Sequence, residues 1–407
     1  MPCVVFIDFS SRRSGDIVPV SMNKKIKIGF VSLEDAARLT PGSIHSYYEA
    51  RALQNHGFYV RCLGPLNLKQ TPGLYVRRAF SRFFRGRRLL PEREPRVTRD
   101  LARQINNKLK GFPVDVILSH GTLPIGLLDC PEPIVFWSDA TFAGMVGFYP
   151  GFNRLEPASL KRGNQLEQSA LERSALALYS SEWAARTCLE NYQVDAAKVK
   201  IVPYGANLAN ELPVREIEGI IRVRSMQPCR LAFVGTEWER KGGDLALGLV
   251  AALDRVGLQV ELKIIGCKPP ADITLPDNVQ AIGYVDTSTP AGQNAYRAHL
   301  AQAHFLILPT RADCSPRILY EAGAMGLPSL TTNVGGIASI VHAGVNGNLF
   351  PSGEDYVDPA ARFIQEAMQT ASGYQELAIR TAEYHKENQL WEKSVDQIMG
   401  WLVGILS

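Results

Sequence analysis

Two acidic residues, Asp313 and Glu321, lie eight positions apart in the segment RADCSPRILYEAGAMGLP. Between them, Ser315 and Pro316 are typical of the start of a helix, because serine caps free N–H groups and proline needs no hydrogen bond there. The preceding apolar run HFLILP predicts a strand, so the helix would begin at the carboxyl end of that strand. We expect the helix to run to about Met325 and to end at the Gly-Leu-Pro sequence that follows.

The spacing of these groups suits a ligand that carries a diphosphate. A helix N-terminus favours anions because its free N–H groups and its dipole both attract negative charge. Glu321 lies about 9 Å along the axis from Ser315, roughly the offset between a diphosphate and a ribose, and a carboxylate accepts from two ribose hydroxyls at once. Asp313 would face the group at the other end of the diphosphate. This geometry predicts a nucleotide-sugar, although an ordinary capped helix after a strand has the same spacing.

A second polar segment, FVGTEWERKGGD, follows another predicted strand and contains Arg240 and Lys241. Two cations beside a leaving diphosphate would stabilise the negative charge that develops as the sugar bond breaks. The sequence contains no Asp-x-Asp motif. We therefore expect no metal ion and no other cofactor, with the two cations acting in place of a metal. The alternative is a solvated basic turn without a chemical role.

The elements that position these residues follow an alternating pattern. Short β-branched runs alternate with helical patterns in two series, of six and five predicted strands, which is typical of parallel α/β proteins. Residues 206–228 lack this pattern and are predicted to link the two series. Ligands bind outside the carboxyl ends of strands in such sheets, so we expect a cleft between two doubly wound, Rossmann-like domains. The predicted segments are an extension at 1–21, a first domain at 22–212, a linker at 213–228, a second domain at 229–386 and a C-terminal helix at 387–407 that returns to the first domain.

The composition is that of a globular protein with more than one core. The chain has 407 residues, of which 46% are apolar and 21% are charged, and this length favours two domains. Its seven cysteines are scattered without a Cys-x-x-Cys pair, which argues against a disulfide framework and a structural zinc. No apolar run approaches the ~20 residues that a membrane-spanning helix needs. We expect a cytoplasmic protein.

Several motifs then occur in the order and spacing of one known family. The Asp-x7-Glu pattern before Gly-x-Pro, followed by TTNVGGIASIVHAGVNGNLF, resembles the Glu-x7-Glu region of retaining glycosyltransferases of family 4, which have the GT-B fold. IGFVS…TPGS, DVILSHG, KVKIVPYGANL, LAFVGTEWERKGGD and IIGC also fall in the family's order, from about Lys25 onward. The resemblance implies that a hexose is transferred from a nucleoside diphosphate to an acceptor hydroxyl, with retention. It also implies that the departing phosphate takes the acceptor proton, so no protein nucleophile is expected.

Two positions depart from the family pattern. Asp313 stands where the family usually has glutamate, which shortens its reach by one methylene group. Gly235-Thr236 stands where the family commonly has Gly-Arg. Lys241 matches the family's lysine, and Arg240 could supply the missing cation; which of the two binds the diphosphate is left open.

The first domain offers three further positions. His120 ends the run VDVILSH and matches a family histidine that orients sugar hydroxyls; the alternative is a surface histidine at a strand end. Gly42 and Ser43 resemble the family's glycine loop at the donor phosphate or the acceptor, and a Pro-Gly turn before a helix is the alternative. Asp139 ends the next strand and would either serve the acceptor or cap the following turn.

The residues and the resemblance together give one candidate site. The predicted catalytic residues are His120, Asp313, Lys241 and Arg240, and Asp139 is the predicted acceptor residue. The predicted donor-binding residues are Glu321, Gly42, Ser43, Gly235, Thr236, Ser315, Tyr284, Val285, Gly335 and Gly336.

Two other functions remain open. A sugar-nucleotide epimerase or a phosphorylase on the same fold would need extra acid/base pairs or a cofactor lysine, and neither pattern is found. A non-catalytic nucleotide-binding scaffold of transferase descent is compatible with the departures at Asp313 and Thr236. It would bind nucleotide without transferring or hydrolysing the sugar.

The segment 77–96 is strongly basic, with eight arginines and two glutamates. Its arginines are interleaved with phenylalanine and leucine, a pattern that suits an anionic membrane surface. Such a patch would bring the protein to a lipid-linked acceptor, whereas an exposed, salt-bridged helical hairpin is the alternative. The expected partners are therefore a nucleotide-sugar donor, a glycan or lipid-linked acceptor and an anionic membrane surface on the cytoplasmic side, but not nucleic acid.

Overall fold

The computed structural model describes residues 25–69 and 71–407. The predicted extension at 1–21 lies outside the described residues. The described chain forms two parallel sheets of six strands each. Parallel strands are covered on both faces, which is why the runs that form them are almost continuously apolar.

The first sheet contains all six strands predicted for the first series. Ile28 and Phe30 pack into a core on one face, and Val31 packs into a second core on the other. The strands are β1 (Lys27–Val31), β2 (Tyr59–Cys62), β3 (Val116–His120), β4 (Ile134–Ser138), β5 (Ser174–Tyr179) and β6 (Val199–Ile201). Their spatial order is β2-β1-β3-β4-β5-β6, so the direction of winding reverses between β1 and β3.

The second sheet contains the five predicted strands and one more. Its strands are β7 (Cys229–Val234), β8 (Val260–Ile265), β9 (Val279–Gly283), β10 (Phe305–Leu308), β11 (Ser329–Thr332) and β12 (Gly347–Phe350). Their spatial order is β12-β11-β10-β7-β8-β9, with the reversal between β7 and β10. The edge strand β12 was not predicted, because its sequence GNLF is short and begins with two residues typical of turns.

Helices connect the strands and cover both sheets. The helices before the second domain are α1 (Ile44–Asn55), α2 (Pro72–Arg85), α3 (Pro95–Leu109), α4 (Phe142–Met145), α5 (Pro157–Arg173), α6 (Glu182–Asn191) and α7 (Val214–Arg222). The later helices are α8 (Trp238–Lys241), α9 (Gly243–Arg255), α10 (Pro290–Gln302), α11 (Arg317–Ala324), α12 (Val357–Ala367), α13 (Ala371–Asn388) and α14 (Trp391–Leu406). In the described residues, no helix is long and apolar enough to cross a bilayer.

The segment 206–228, with 213–228 as its predicted linker, contains helix α7, which was not predicted from the sequence. Ile217 and Ile221 lie one turn apart on this helix, and both are buried. They belong to the core that α13 also enters. Val214, Ile217 and Ile221 recur at helical spacing, so the sequence did carry the signal for this helix.

The C-terminal helix α14 packs on the first domain. Its first residue, Trp391, donates from Nε1 to the carbonyl oxygen of Ala206 at 2.8 Å, and its ring lies 5.7 Å from that of Trp137. Ser394 donates to the carbonyl oxygen of Pro203 at 2.6 Å. Gly205 is required here, because any side chain at that position would collide with the Trp391 ring. The chain therefore enters the second domain through 206–228 and leaves it before Trp391.

Candidate active site

A cavity of about 480 Å³ lies between the carboxyl ends of the two sheets. It is located where the winding direction of each sheet reverses, which is where ligands bind in doubly wound folds. Trp137, Ser138 and Tyr204 contribute to its first-domain wall. The predicted site residues that line it are His120, Asp139, Gly235, Thr236, Arg240, Lys241, Tyr284, Val285, Asp313, Ser315 and Glu321.

Asp313 joins the two predicted cations. The Lys241 Nζ donates to the Asp313 carboxylate, and Arg240 Nη1 lies 3.3 Å from the same oxygen. Arg240 also donates to the carbonyl oxygen of Ala312 at 2.8 Å and to Glu237. Because these elements follow β7 and β10, which are neighbours in the sheet, the fold brings residues 72 positions apart into one cluster.

Gly235 allows Lys241 to reach this cluster. A Cβ at Gly235 would lie 2.7 Å from Cγ of Lys241, so a larger residue would displace the lysine side chain. Thr236 follows on the cavity wall, where the family pattern has arginine. Arg240 contacts the same carboxylate as Lys241, and that it replaces the family's arginine stays a prediction. Both cations therefore lie where a diphosphate could bind them.

The predicted N-cap at Ser315 is wrong by one residue. Helix α11 begins at Arg317 with Pro316 as its N-cap, and the Ser315 hydroxyl makes no cap hydrogen bond. In the loop before the helix, the Cys314 N–H donates to the Tyr149 hydroxyl of the first domain at 2.9 Å. Ser315 still lines the cavity, with its buried Oγ unpartnered among the described residues.

Glu321 is buried in the wall of the cavity that the second domain forms, as Ser315 is. Its carboxylate accepts a hydrogen bond from the Tyr296 hydroxyl at 2.6 Å. Burial raises the pKa of Glu321 to about 7, although the bond from Tyr296 and the charge of Arg317 oppose this shift. A carboxyl group with a pKa near neutrality at a cavity wall is typical of functional sites.

His120 is held by a glutamate that the sequence did not point to. Its Nδ1 lies 2.9 Å from the carboxylate of Glu49, a fully buried residue of α1. Burial alone lowers the pKa of His120, but the charge and hydrogen bond of Glu49 outweigh burial and raise it. Glu49 lies with Ser46, Ala50 and Leu53 on the buried face of α1. A carboxylate on an apolar helical face was the signal that could have revealed it.

Asp139 and His45 complete the first-domain wall. Burial raises the pKa of Asp139, with Arg317 and His120 opposing the shift. His45 has its pKa lowered to about 3 by burial and by nearby Arg317, and it is hydrogen-bonded to Asn207 at 3.0 Å. Neither His45 nor Asn207 was predicted, since both occur in loops and helix starts without ligand spacing.

Four predicted donor-binding residues do not line the cavity. Gly42 is exposed with no atom near it, and the Ser43 hydroxyl instead donates to the carbonyl oxygen of Arg38. Gly335 and Gly336 pack against the carbonyl groups of Asp313 and Cys314, where any side chain would collide with the backbone. Gly335 also has φ of 56°, which glycine adopts readily. These two glycines support the Asp313 loop from behind.

Metal ligands were also sought around the site. Within 25–69 and 71–407, no group of three or more histidine, cysteine, aspartate or glutamate side chains could hold a metal ion. The structure therefore gives no residues to which a protein-bound metal could be assigned in this part of the chain. Whether transfer proceeds without metal stays a prediction.

Two parallel, doubly wound domains with one cleft between their carboxyl edges define the GT-B class of protein. Two family models match, Glycosyltransferase Family 4 over 42–210 and Glycosyl transferases group 1 over 228–369. Together they span well over half of the chain. The chain belongs to glycosyltransferase family 4, and the predicted fold and resemblance are confirmed.

Curated relatives share about a quarter of their aligned residues with this chain. D-inositol 3-phosphate glycosyltransferase of Gordonia bronchialis is 25% identical over 245 residues, which cover 57% of this chain and 53% of the relative. Lipopolysaccharide glucosyltransferase WaaG of Escherichia coli is 23% identical over 315 residues, covering 74% and 81%. The match thus spans only about half the length of the inositol phosphate relatives.

Solved structures agree on the fold. Sucrose-phosphate synthase from Thermosynechococcus elongatus has a TM-score of 0.67 at 17% identity, with 94% of this chain and 99% of that chain covered. The structure of WaaG has a TM-score of 0.62 at 18% identity, with 91% and 98% covered. At these identities the similarity establishes the fold alone.

Proposed function

We propose that this protein transfers a hexose from a nucleoside diphosphate to an acceptor hydroxyl, with retention of anomeric configuration. The observation that supports this most strongly is the grouping of Asp313, Arg240, Lys241 and Glu321 in one cavity at the carboxyl edge of the second sheet. These residues present cations for a diphosphate and a carboxylate for a ribose. The family to which the chain belongs is consistent with this activity.

The second domain binds the donor in this proposal. Arg240 and Lys241 bind the diphosphate and stabilise the charge that it gains as it leaves. To do so they exchange part of their contact with Asp313 for phosphate oxygens, which frees the Asp313 carboxylate for the sugar hydroxyls. Glu321 accepts from the ribose, and the loop at Tyr284 and Val285 contacts the base.

The first domain orients the sugar and the acceptor. His120 and Asp139 lie on the wall that faces the donor loops. As the bond between the sugar C1 and the phosphate oxygen breaks, C1 forms a bond with the acceptor oxygen on the same face. The acceptor proton passes to the departing phosphate, so the reaction needs no protein nucleophile. No metal ion is required, because the two cations supply the positive charge.

Helix α2 provides a second surface, which we assign to an anionic membrane carrying a lipid-linked acceptor. Phe83 and Phe84 are 82% and 77% exposed. Arg82 and Arg85 on the same helix have no carboxylate partner among the described residues, whereas Arg77 is paired with Glu94 and Glu156. Exposed phenylalanines beside free arginines suit the boundary between acyl chains and anionic headgroups. This surface would place the protein peripherally on the membrane.

Calorimetric titration tests the donor site. UDP, GDP and ADP are titrated into the pure protein in the presence of EDTA, and the titrations are repeated with Glu321→Ala. We expect one nucleotide to bind with a micromolar Kd and to bind at least about tenfold more weakly to the variant. No binding of any nucleotide would contradict the proposal.

A second assay separates an enzyme from a scaffold. The glucose ester of the nucleotide that binds, that is, the nucleoside diphosphate glucose, is incubated with the protein. Release of nucleoside diphosphate is measured over hours. Slow hydrolysis that is lost in Lys241→Met supports transferase chemistry. Nucleotide binding with no hydrolysis, and no transfer to any of a panel of glycan and lipid-linked acceptors, would favour the non-catalytic alternative.

A further inference from the structure

Glu49 connects the two domains at the floor of the cleft. This residue of α1 is fully buried, and its carboxylate lies 2.9 Å from His120 Nδ1 and 3.4 Å from Arg317 Nη2. His120 ends β3 in the first domain, whereas Arg317 is the first residue of α11 in the second. One carboxylate therefore holds a candidate catalytic residue and a cation from the opposite domain.

Arg317 has a free donor beside the cavity that it lines. The residue is 9% exposed, and its guanidinium carbon lies 3.1 Å from the centre of the Tyr204 ring. Stacking on this ring and the bond to Glu49 fix the plane of the guanidinium. Nη1 is buried and has no hydrogen-bond partner among the described residues. Buried donors are normally paired, so an unpaired one in a residue that lines the cavity makes Arg317 a candidate for contact with a bound ligand.

Two other cavity residues have unpaired atoms. Ser315 Oγ and Asn207 Oδ1 are buried and without partners in the described part of the chain. Together with Arg317 they offer a donor, an acceptor and a hydroxyl that can act as either. A group with several hydroxyls matches this mixture, because each hydroxyl both donates and accepts.

We propose that Arg317 is a substrate-binding residue that donates from Nη1 to an oxygen of the sugar carried by the diphosphate, and that Glu49 is the positioning residue for both Arg317 and His120. The assignment of a sugar to this contact rests on the proposed function. The contacts of Glu49 with His120 and Arg317 do not depend on the proposed function.

The charges around His120 make the positioning role measurable. Five titratable residues of the described chain interact electrostatically with His120. They are Glu49 and His45 from α1, Glu34 from the segment after β1, Asp139 from the segment after β4 and Arg317 from α11. Glu49 raises the pKa of His120 and Arg317 lowers it. Removing the charge of Glu49 should therefore lower the pKa of His120, and removing the charge of Arg317 should raise it. General loosening of the fold would not give opposite shifts.

The first experiment follows the histidine in the full chain without added nucleotide. The imidazole resonance of His120 is assigned by its loss in His120→Asn and titrated by NMR in the wild type, Glu49→Gln and Arg317→Met. We expect a lower pKa of His120 in Glu49→Gln and a higher one in Arg317→Met. Asp396→Asn serves as the matched control, because it removes the acid from another histidine pair, His56 and Asp396 at 3.1 Å.

Two results would overturn the positioning role. One is an unchanged pKa of His120 in both variants, and the other is a shift in the same direction in both. Arg317→Lys replaces Arg317→Met if the latter does not fold, and a lysine at this position keeps the charge but loses the planar contact with Glu49. In that variant we expect only a partial change.

The second experiment tests the contact with the sugar. Binding of the best nucleotide among UDP, GDP and ADP is compared with binding of its glucose ester by calorimetry. At a pH well above 7, where Glu321 stays ionised even without the charge of Arg317, we expect Arg317→Met to bind the nucleotide within about twofold of the wild type, but to bind the glucose ester about tenfold more weakly. An equal loss for both ligands, or no loss for either, would overturn the sugar contact. If the wild type binds no nucleotide, the donor proposal fails, and the NMR titration still decides the role of Glu49.

Discussion

Asp313 pairs with both cations to which the proposed donor's diphosphate would bind. The Lys241 Nζ and Arg240 Nη1 both approach one carboxylate oxygen, in a site where Asp313 is itself nearly buried. A diphosphate that enters the site competes with this carboxylate for the two cations. In the proposed function, the aspartate that replaces the family's usual glutamate would therefore affect nucleotide affinity as well as sugar placement.

Asp313→Asn should separate these two effects. Removing the negative charge leaves Arg240 and Lys241 free for the diphosphate, so we expect nucleoside diphosphate to bind about threefold to tenfold more tightly. Transfer should fall by about 100-fold or more, because an amide neither holds the sugar hydroxyls nor the cations in the same way. Calorimetry and initial rates measure the two quantities. Weaker nucleotide binding would show that Asp313 organises the cations instead of competing for them.

Nucleotide affinity should also depend on pH through Glu321. With its pKa raised to about 7 by burial, Glu321 becomes protonated as the pH falls through neutrality, and a protonated carboxyl group is a poorer acceptor for ribose. We expect Kd to increase about tenfold between about pH 8 and about pH 6. Titrations across this range give the profile.

Two variants make that assignment specific. Tyr296→Phe removes the hydrogen bond that lowers the pKa of Glu321, so the profile should move to higher pH. Glu321→Gln cannot ionise, and any dependence that remains in it belongs to the nucleotide phosphate. A wild-type profile identical to that of Glu321→Gln would exclude ionisation of Glu321 as the cause.

At the level of elements, α2 is a helix whose large apolar side chains are exposed instead of packed into a core. Its exposed side includes Phe83 and Phe84, while Ser81 is its buried residue. The basic segment after it is partly structural, since Arg93 is buried and stacks on the ring of Phe142 at 4.3 Å. The salt-bridged alternative holds for Arg77, which pairs with Glu94, whereas the membrane interpretation depends on the exposed Phe83 and Phe84.

The double variant Phe83→Ser/Phe84→Ser tests the membrane interpretation of α2. Both side chains are exposed, so the free energy of unfolding should change by less than about 0.5 kcal/mol, while binding to vesicles that contain phosphatidylglycerol should be lost. Co-sedimentation with anionic and neutral vesicles measures binding. Val223→Ser is a matched control, because Val223 is also 82% exposed but lies in α7's C-cap. Unchanged sedimentation of the double variant would remove the basis for membrane docking.

The sequence predicted the elements better than their ends. All first-sheet strands were found because each is a compact β-branched or apolar run, and β12 was missed because four residues give too weak a period. Helix α7 was missed although Ile217 and Ile221 recur at helical spacing. The error at Ser315 is smaller: the Ser-Pro pair has good capping chemistry, but Pro316 is itself the N-cap, so the helix begins one residue later than predicted.

Over the whole molecule, one apolar core joins the two domains. Phe30 of the first sheet and Phe233 of the second belong to the same cluster of buried residues, which also includes Trp391 and Ile217. The site contact that the sequence did not reveal, between Glu49 and Arg317, forms only when the two domains are packed together. Glu49 and Arg317 are 268 positions apart, and no local pattern predicts a pair at that separation.

Trp391→Ala should weaken this junction. Loss of a buried indole and of its bond to Ala206 should lower the free energy of unfolding by about 3–5 kcal/mol, and the two domains should then unfold in separate urea transitions. We expect a single transition for the wild type. Trp401→Ala, on the same helix but half-buried, is the control and should keep the single transition. Separate transitions already in the wild type would show that the shared core does not couple the domains.

The chain crosses between the domains twice, and the crossings are side by side. Trp391, at the return crossing, is bonded to Ala206 at the start of the outward one, and His385 contacts Glu211 at 3.0 Å. Rotation about the line through the two crossings would be the rigid-body motion that stretches neither connection, so this line is where we expect a hinge axis if the domains move. Opening the cleft about it would carry Arg317 away from Glu49 along a single arc, so that bond reports the angle of the hinge.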